Sequence, residues 1–363
     1  MPWRLGLDLT ACWRRRVGMV TVALELAREL QRDPGPDGEL TIFCSRERPE
    51  GLDLGSRAVL SPWRHEVPNK LRWLPAVERE ADLDAMLYPY WPCPPRRRPG
   101  APPAAMFVHD LAFRATPDEV PWQQRAYLGS ILPGALRQAA LVIAPSAATR
   151  RDLLLHYPLP RLEDRVHVVP EASNLHLLEP APLPYGLRPG FVLAVGTIEP
   201  RKNYARLLAA HRLLRERGLN VPLVVAGRVG WSYGRALADL RQAPGVRVLG
   251  HVDDGVLRGL YQAAGALALP SLYEGFGLPL LEAMHEGLPA VAGDAGALPG
   301  LAGDAALLVD PEDPAAIADA LERTLTDPEL RRRLAAAGRA RAQQFDWAAS
   351  AARILALLRS VCG

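Results

Sequence analysis

The chain has 363 residues, of which 49% are hydrophobic and 23% charged, the balance of an ordinary globular protein of two domains rather than one. A formal net charge of +3 provides no electrostatic case for a nucleic-acid partner, although arginines cluster at Arg14–Arg16 and Arg96–Arg98. No stretch nears the ~18 consecutive apolar residues of a membrane-spanning helix, and Cys12, Cys44, Cys93 and Cys362 lack metal-ligand spacing, so reduced thiols are expected.

In the first half, short apolar runs predict strands at 4–9, 40–45, 85–90, 104–109, 141–145 and 166–170. Helices are expected at 18–31, 69–80, 121–138 and 147–156. In the second half, strands are expected at 191–196, 221–227, 246–250, 266–270, 290–293 and 306–309. Helices follow at 203–217, 231–242, 254–264, 279–287, 314–326 and 328–344, with a last one at 346–361. Continuous apolar runs suit parallel strands covered on both faces. Strands alternating with helices, twice over, predict an α/β chain of two doubly wound, Rossmann-like domains. The Pro- and Gly-rich stretch 179–190 reads as the linker, giving an N-terminal domain at 1–180 and a C-terminal domain at 181–345. The helix of 346–363 is expected to pack back on the N-terminal domain. The Pro/Arg stretch 92–103 reads as a surface loop.

Open parallel sheets bind ligands at the carboxyl ends of their strands, so the residues just after strands carry the information. Gly196-Thr197-Ile198-Glu199-Pro200-Arg201-Lys202-Asn203 follows the strand at 191–196 and opens a helix. Arg201 and Lys202 supply a planar fork and a point charge that suit a diphosphate, beside the positive end of that helix. The second segment, Ser271-Leu272-Tyr273-Glu274-Gly275-Phe276-Gly277-Leu278-Pro279-Leu280-Leu281-Glu282, follows the strand at 266–270. Gly275 and Gly277 permit a tight loop, and Pro279 fits the first turn of a helix. Glu274 and Glu282 are carboxylates suited to sugar and ribose hydroxyls. The plainer readings are a solvated basic turn for the first segment and a dipole-compensating helix-start carboxylate for Glu282.

Together the two segments resemble the signature of glycosyltransferase family 4. The resemblance covers essentially the whole C-terminal half. It implies the GT-B fold, two Rossmann-like domains facing a central cleft, and metal-independent transfer from a nucleotide sugar with retention at the anomeric carbon. It also implies roles. Arg201 and Lys202 would hold the donor diphosphate. Glu274 would contact the transferred sugar, and Glu282 the ribose. The loop Gly275, Phe276, Gly277 and Leu278 would cover diphosphate and sugar, with Gly196 and Thr197 alongside. Val252 would lie near the nucleobase. Relatives commonly carry Pro-Glu where this chain has Pro299-Gly300.

The N-terminal half carries a thinner match. Gly18, in Arg16-Val17-Gly18-Met19, matches the family's glycine-containing loop, although many relatives have two glycines there. His109, in Val108-His109-Asp110-Leu111, matches the family's His-Asp pair, with a histidine beside the transferred sugar that could orient it or shuttle a proton. Ser146 reads as a helix N-cap. Asp82-Leu83-Asp84 has the spacing of a metal–diphosphate pair but precedes a strand, and it reads as structural. The segment 63–79 mixes Trp63 and Trp73 with Lys and Arg; it reads as an amphipathic surface helix, with contact to an anionic membrane or a polyprenyl-linked acceptor as the functional alternative.

The chain locally resembles bacterial mannosyltransferases, and that resemblance implies a hexosyltransferase using GDP-mannose, with a UDP-sugar as the alternative donor, no metal and no cofactor. Its acceptor would be a saccharide or a polyprenyl-linked saccharide in cell-surface polysaccharide synthesis. With no signal-peptide pattern in the first residues, a cytoplasmic protein is expected, with peripheral contact on the inner membrane face as a further option. Two other readings compete. One is a sugar-nucleotide epimerase or hydrolase on the same fold, and the other is a non-catalytic nucleotide-sugar-binding subunit.

Overall fold

The computed structural model describes residues 2–12, 18–49, 52–54, 57–90, 92–184, 186–230 and 234–362. The Arg14–Arg16 cluster and Val17 lie outside the described residues. The chain divides into two compact units. The first comprises 1–111, 123–172 and 346–363, and the second 112–122 and 173–345.

The first unit is built on seven parallel strands. These are β1 (Trp3–Leu9), β2 (Gly38–Cys44), β3 (Ala58–Leu60), β4 (Ala85–Tyr88), β5 (Ala104–Phe107), β6 (Leu141–Ala144) and β7 (Val166–Val168). Their order across the sheet is β3-β2-β1-β4-β5-β6-β7. β3 is too short to announce itself in the sequence. β4, β5 and β6 are buried at every residue, which is why their sequences run apolar without alternation. The helix Gly18–Arg32 lays Val20, Ala23, Leu24, Ala27 and Leu30 into the core. The final helix, Trp347–Val361, adds Ala351, Ile354, Leu355 and Leu358 to the same core, and Arg359 donates to the Pro36 carbonyl at 2.9 Å.

The second unit has six parallel strands: β8 (Val192–Val195), β9 (Leu223–Ala226), β10 (Val246–Gly250), β11 (Ala266–Leu269), β12 (Ala290–Gly293) and β13 (Ala306–Val309). Their order is β10-β9-β8-β11-β12-β13. Both sheets reverse direction of growth once, at β1/β4 and at β8/β11. In a doubly wound sheet the carboxyl edge at such a reversal is the usual ligand site.

The stretch 179–190 belongs to the second unit, and the chain passes from the first unit to the second between Ala172 and Ser173, eight residues ahead of the 180/181 boundary expected from composition. The Ala181 N–H donates to Gly255 O at 2.8 Å, and a Cβ at Gly259 would fall 2.3 Å from Ala181 O. The strap thus packs on the small-residue face of the helix Asp254–Ala263. Asp82 and Asp84 are both taken up by Arg4, Asp82 through the guanidinium and Asp84 through the backbone N–H at 2.7 Å. The Arg96–Arg98 run is not wholly a surface loop either: Arg97 lies buried against Glu78, whose carboxyl also accepts from Tyr88.

The segment expected as an amphipathic helix at 69–80 is helical from Glu66 to Glu80, through a wide turn at Asn69–Trp73. Its polarity is inverted in part, although Leu74 is buried and Arg72, Arg79 and Glu80 are exposed in the ordinary way. Asn69, Lys70 and Glu78 are buried, while Val67 and Leu71 are 45% and 51% exposed. Lys70 pairs with the buried Asp8 and lies over the Tyr88 ring, so each inward charge has a partner.

Candidate functional site

Two loops leave the carboxyl ends of β8 and β11, neighbours at the switch point of the second sheet. After β8 the chain passes Gly196 and enters a tight turn, Pro200–Lys202. Asn203 ends that turn in the left-handed region, and its amide donates to the carbonyls of Pro270, after β11, and Pro311, after β13. The Leu272 N–H donates to Arg201 O at 2.8 Å. This one asparagine and one backbone bond fasten the two loops together, so the cations and the carboxylate arrive at a fixed separation.

Arg201, Lys202 and Glu274 meet there. Arg201 donates from Nη1 to Glu274 Oε2 at 2.9 Å and to Tyr273 O at 3.0 Å, and its Nε faces Glu199 Oε1 at 2.7 Å. Lys202 Nζ donates to Glu274 Oε1, which also accepts from Ser271 Oγ at 2.8 Å. Burial pushes the Glu274 carboxyl up, but Lys202 and Arg201, with the hydrogen bonds from Lys202 and Ser271, outweigh it and bring the pKa down to about 2. Two cations thus face two carboxylates, Glu199 and Glu274. An arriving anion must share Arg201 and Lys202 with Glu274 rather than meet bare charge.

The loop beyond Glu274 is held by its neighbours. Gly275 and Gly277 are buried, and Gly277 has φ of 109°, a conformation that favours glycine. Phe276 is buried and packs edge-on against Phe345 at 5.7 Å, so its ring anchors the loop and only its backbone is left to serve a ligand. Leu278 begins the helix Leu278–Glu286 and packs half-buried on the core. Gly296, after β12, went unnoticed in the sequence. Its φ is +58°, and a Cβ there would meet Glu274 O at 2.6 Å and Glu274 N at 2.8 Å. The Ala297 N–H donates to Glu274 O at 2.9 Å. Nothing in the local pattern Asp294-Ala295-Gly296 marks it, because the constraint comes from a backbone twenty-two residues away.

Glu282 stands apart from that cluster. One turn into the helix Leu278–Glu286, it accepts from Tyr261 Oη at 2.7 Å and from Ser173 Oγ at 3.5 Å. Burial dominates and pushes its carboxyl up to about 7, with Tyr261 pulling it down and Asp254 adding to the rise. Gly196 lies against Lys202, and Thr197 lies against Gly230. Val252 is half-buried on the edge of the same core.

The remaining expected residues lie in the first unit. Gly18 opens the helix Gly18–Arg32, is exposed, and would have room for a Cβ, so sterics do not explain the glycine. His109 follows β5. Its Nδ1 lies 2.8 Å from Glu171 Oε1 and its Nε2 2.7 Å from Pro89 O, with the ring stacked on Phe107. Both ring nitrogens are engaged, so a shuttle role would first have to break one of these contacts. Ser146 caps the helix Ala147–His156, accepting from the Thr149 N–H at 3.1 Å. Among the described residues, no group of three or more His, Cys, Asp or Glu side chains is arranged to hold a metal ion, and no helix is long and apolar enough to cross a membrane.

Comparisons with known proteins show the family to which this arrangement belongs. The family described as Glycosyl transferases group 1 matches residues 181–341, and Glycosyltransferase Family 4 matches residues 17–177. The chain is 36% identical over 258 residues to an O-antigen chain mannosyltransferase B of Escherichia coli, covering 67% of each protein. It is 34% identical over 227 residues to an MMP alpha-(1->4)-mannosyltransferase of Mycolicibacterium hassiacum, covering 61% of this chain and 54% of that protein. It is also 35% identical over 234 residues to a D-inositol 3-phosphate glycosyltransferase of Frankia alni, covering 59% and 57%. Among solved structures it resembles a sucrose-phosphate synthase of Thermosynechococcus elongatus, with a TM-score of 0.77 at 21% identity over 99% of each chain. Anabaena HepE in complex with UDP and glucose gives 0.73 at 19% identity, over 99% of this chain and 100% of that one. The chain belongs to glycosyltransferase family 4, has the GT-B fold and is a glycosyltransferase.

Proposed function

We propose that the chain transfers mannose from GDP-mannose to a saccharide or lipid-linked saccharide, with retention at the anomeric carbon. The observation that carries the donor site is the convergence of Arg201 and Lys202 on Glu274 at the β8/β11 switch point. The mannose preference rests on the mannosyltransferase relatives named above; a UDP-sugar is the competing donor.

In this scheme the bond between C1 of the sugar and the diphosphate oxygen breaks, and the diphosphate keeps the electron pair. Arg201, Lys202 and the amides of Gly275, Phe276 and Gly277 stabilise that charge, the usual electrostatic route. The acceptor hydroxyl oxygen bonds to C1 from the same face and passes its proton to the departing phosphate oxygen. Glu274 holds the sugar, Glu282 takes the ribose hydroxyls, and Val252 lines the base. The two cations supply the charge that the leaving group needs, so the scheme uses no metal and no cofactor. The scheme also sets the chain apart from an epimerase or hydrolase, which consumes donor without acceptor, and from a binding subunit, which has no need of Glu274.

We also infer a peripheral contact with an anionic bilayer that carries the lipid-linked acceptor. The inverted helix supports it. Leu60, Trp63, Val67 and Leu71 are 41%, 38%, 45% and 51% exposed, and Trp63, Val67 and Leu71 line an open groove with Arg64 and Arg72. Apolar side chains rimmed by arginines suit an interfacial helix on anionic lipid.

The first test is a thermal-shift comparison of GDP, UDP, ADP and their sugar conjugates, since ligands of the native state raise its melting temperature. A selective GDP and GDP-mannose response, lost in Arg201→Ala with Lys202→Ala, is the expected result. A UDP- or ADP-selective response replaces the donor. No response to any nucleotide would sink the reading.

A further inference from the structure

His109 is set between two groups that can both accept. Pro89 O is a carbonyl, which only accepts, so the nitrogen facing it, Nε2, carries a proton. Nδ1 faces a carboxyl oxygen of Glu171 at 2.8 Å. A neutral imidazole protonated at Nε2 would turn a bare lone pair toward that carboxylate. The contact is satisfied only if one more proton sits between Nδ1 and Oε1. Both side chains are almost wholly buried, at 8% and 6% exposure, so water does not stand in for the missing proton.

We propose that Glu171 is a positioning residue that keeps His109 as an imidazolium, held in an ion pair at the carboxyl edge of β5. The role offered to the nucleotide-sugar reaction is therefore a fixed, doubly protonated ring, not a transferable proton. Glu171 follows β7, two strands along the sheet from β5, so one sheet edge builds the pair from residues sixty-two apart. The other groups around the ring agree. Asp110, the next residue, adds a second carboxylate, and Phe107 stacks on the ring at 5.5 Å. Burial alone pushes His109 down. Glu171, the Pro89 carbonyl and Asp110 outweigh it and raise the pKa above the ordinary histidine value. The consequence for turnover rests on the transferase reading, whereas the charge state of His109 does not.

Glu171→Gln is the decisive variant, because a glutamine keeps the shape and removes the need for the extra proton. Its amide N–H can donate to the Nδ1 lone pair of a neutral ring, so both hydrogen bonds survive while the charge is lost. The measurement is a histidine-labelled imidazole NMR titration without substrate, with His109→Gln to assign the signal. In the unsubstituted protein the His109 signal should keep its doubly protonated signature above the ordinary midpoint of about 6.5. In Glu171→Gln the midpoint should fall by about one pH unit or more, the usual effect of losing an adjacent opposite charge. Glu171→Asp, which keeps the charge, should restore most of the shift. With donor and acceptor, kcat should fall as pH rises through the His109 midpoint, and that limb should move to lower pH in Glu171→Gln. A His109 that is neutral across pH 6 to 9 would overturn the proposal, as would a midpoint unmoved by Glu171→Gln. If the titration behaves as expected and no nucleotide sugar is turned over, the charge pair stands and the transferase reading falls.

Discussion

Glu274 and Glu282 belong to one loop and one helix, yet their surroundings are opposite. Glu274 is wrapped by Arg201, Lys202 and Ser271, and its carboxyl is held near 2. Glu282 has Tyr261 and Ser173 and, among the described residues, no cation in hydrogen-bond contact, and its carboxyl is pushed to about 7. Burial raises both carboxyls, so the partners decide the sign. Under the proposed scheme, a carboxylate that must stay charged beside a departing diphosphate needs the first setting. One that would exchange hydrogen bonds with ribose hydroxyls tolerates the second.

The sharpest way to break this contrast is to strip the charge from the first setting. Lys202→Met leaves Glu274 buried with Arg201 as its remaining cation, and loss of one partner of a buried pair costs about 3–5 kcal/mol. Urea unfolding should show a loss of that order, and kcat should fall about a hundredfold or more, as for removal of one stabilising donor. A variant as stable and as active as the parent would mean the cluster is decoration. The pH dependence follows the same logic. The folded Glu274 value lies below the ordinary glutamate value of about 4.3. Its stabilising contribution is therefore fully present above that value and is lost as pH falls toward 2. Glu274→Gln should flatten the acid limb of the stability curve.

A smaller effect is expected from Gly296→Ala, which touches neither a charge nor a ligand. The new Cβ would press on the Glu274 backbone at 2.6 Å in a left-handed conformation. Overpacking of this kind costs about 1–3 kcal/mol. A lowered melting temperature together with weakened nucleotide binding is expected, because the strain falls on the residue that Arg201 and Lys202 share. If the melting temperature drops and nucleotide binding stays unchanged, the loop adjusts without moving Glu274.

The second setting can be sharpened by titrating nucleotide affinity. A ribose hydroxyl donates well to an ionised carboxylate, so affinity should rise with pH through about 7 as Glu282 loses its proton. The expected gain is a few-fold, and Glu282→Gln should abolish the dependence while retaining binding. An affinity that is flat from pH 6 to 8 in the parent would remove Glu282 from the ribose.

These contrasts also explain what the sequence could and could not reveal. The C-terminal site was legible because its chemistry sits in two local stretches, each following an apolar strand. Arg201, Lys202 and Glu274 were all in view, and the sheet order brings their strands together. Gly296 and Asn203 were illegible in their roles, because each acts on a backbone distant in sequence. Glu171 was hidden for the same reason, sixty-two residues from His109. The boundary at 180/181 followed Pro and Gly content, and it differs from the division into units only over 173–180, which lie with the second unit. The helix at Glu66–Glu80 misled most. Composition alone puts lysine and glutamate outward, and only the pairing of Lys70 with Asp8 and of Glu78 with Arg97 turns them in.

That inversion supports the mildest of the expected effects. Leu71 is exposed while Lys70 beside it is buried, so Leu71→Glu adds a charge to the outer face without disturbing the ion pairs inside. Fold stability should therefore stay within about 0.5 kcal/mol, the usual range for a surface change. Co-sedimentation with vesicles containing anionic lipid should fall several-fold, and neutral vesicles should bind weakly in either case, since both apolar burial and basic charge contribute to interfacial binding. Soluble-acceptor turnover should not change, because the substitution sits on an exposed face and leaves the Lys70–Asp8 pair beneath it intact. If Leu71→Glu sediments as well as the parent, the apolar face has another occupant and the membrane contact is lost from the argument. If turnover with a soluble acceptor falls as well, the face contributes to catalysis directly rather than to where the enzyme sits.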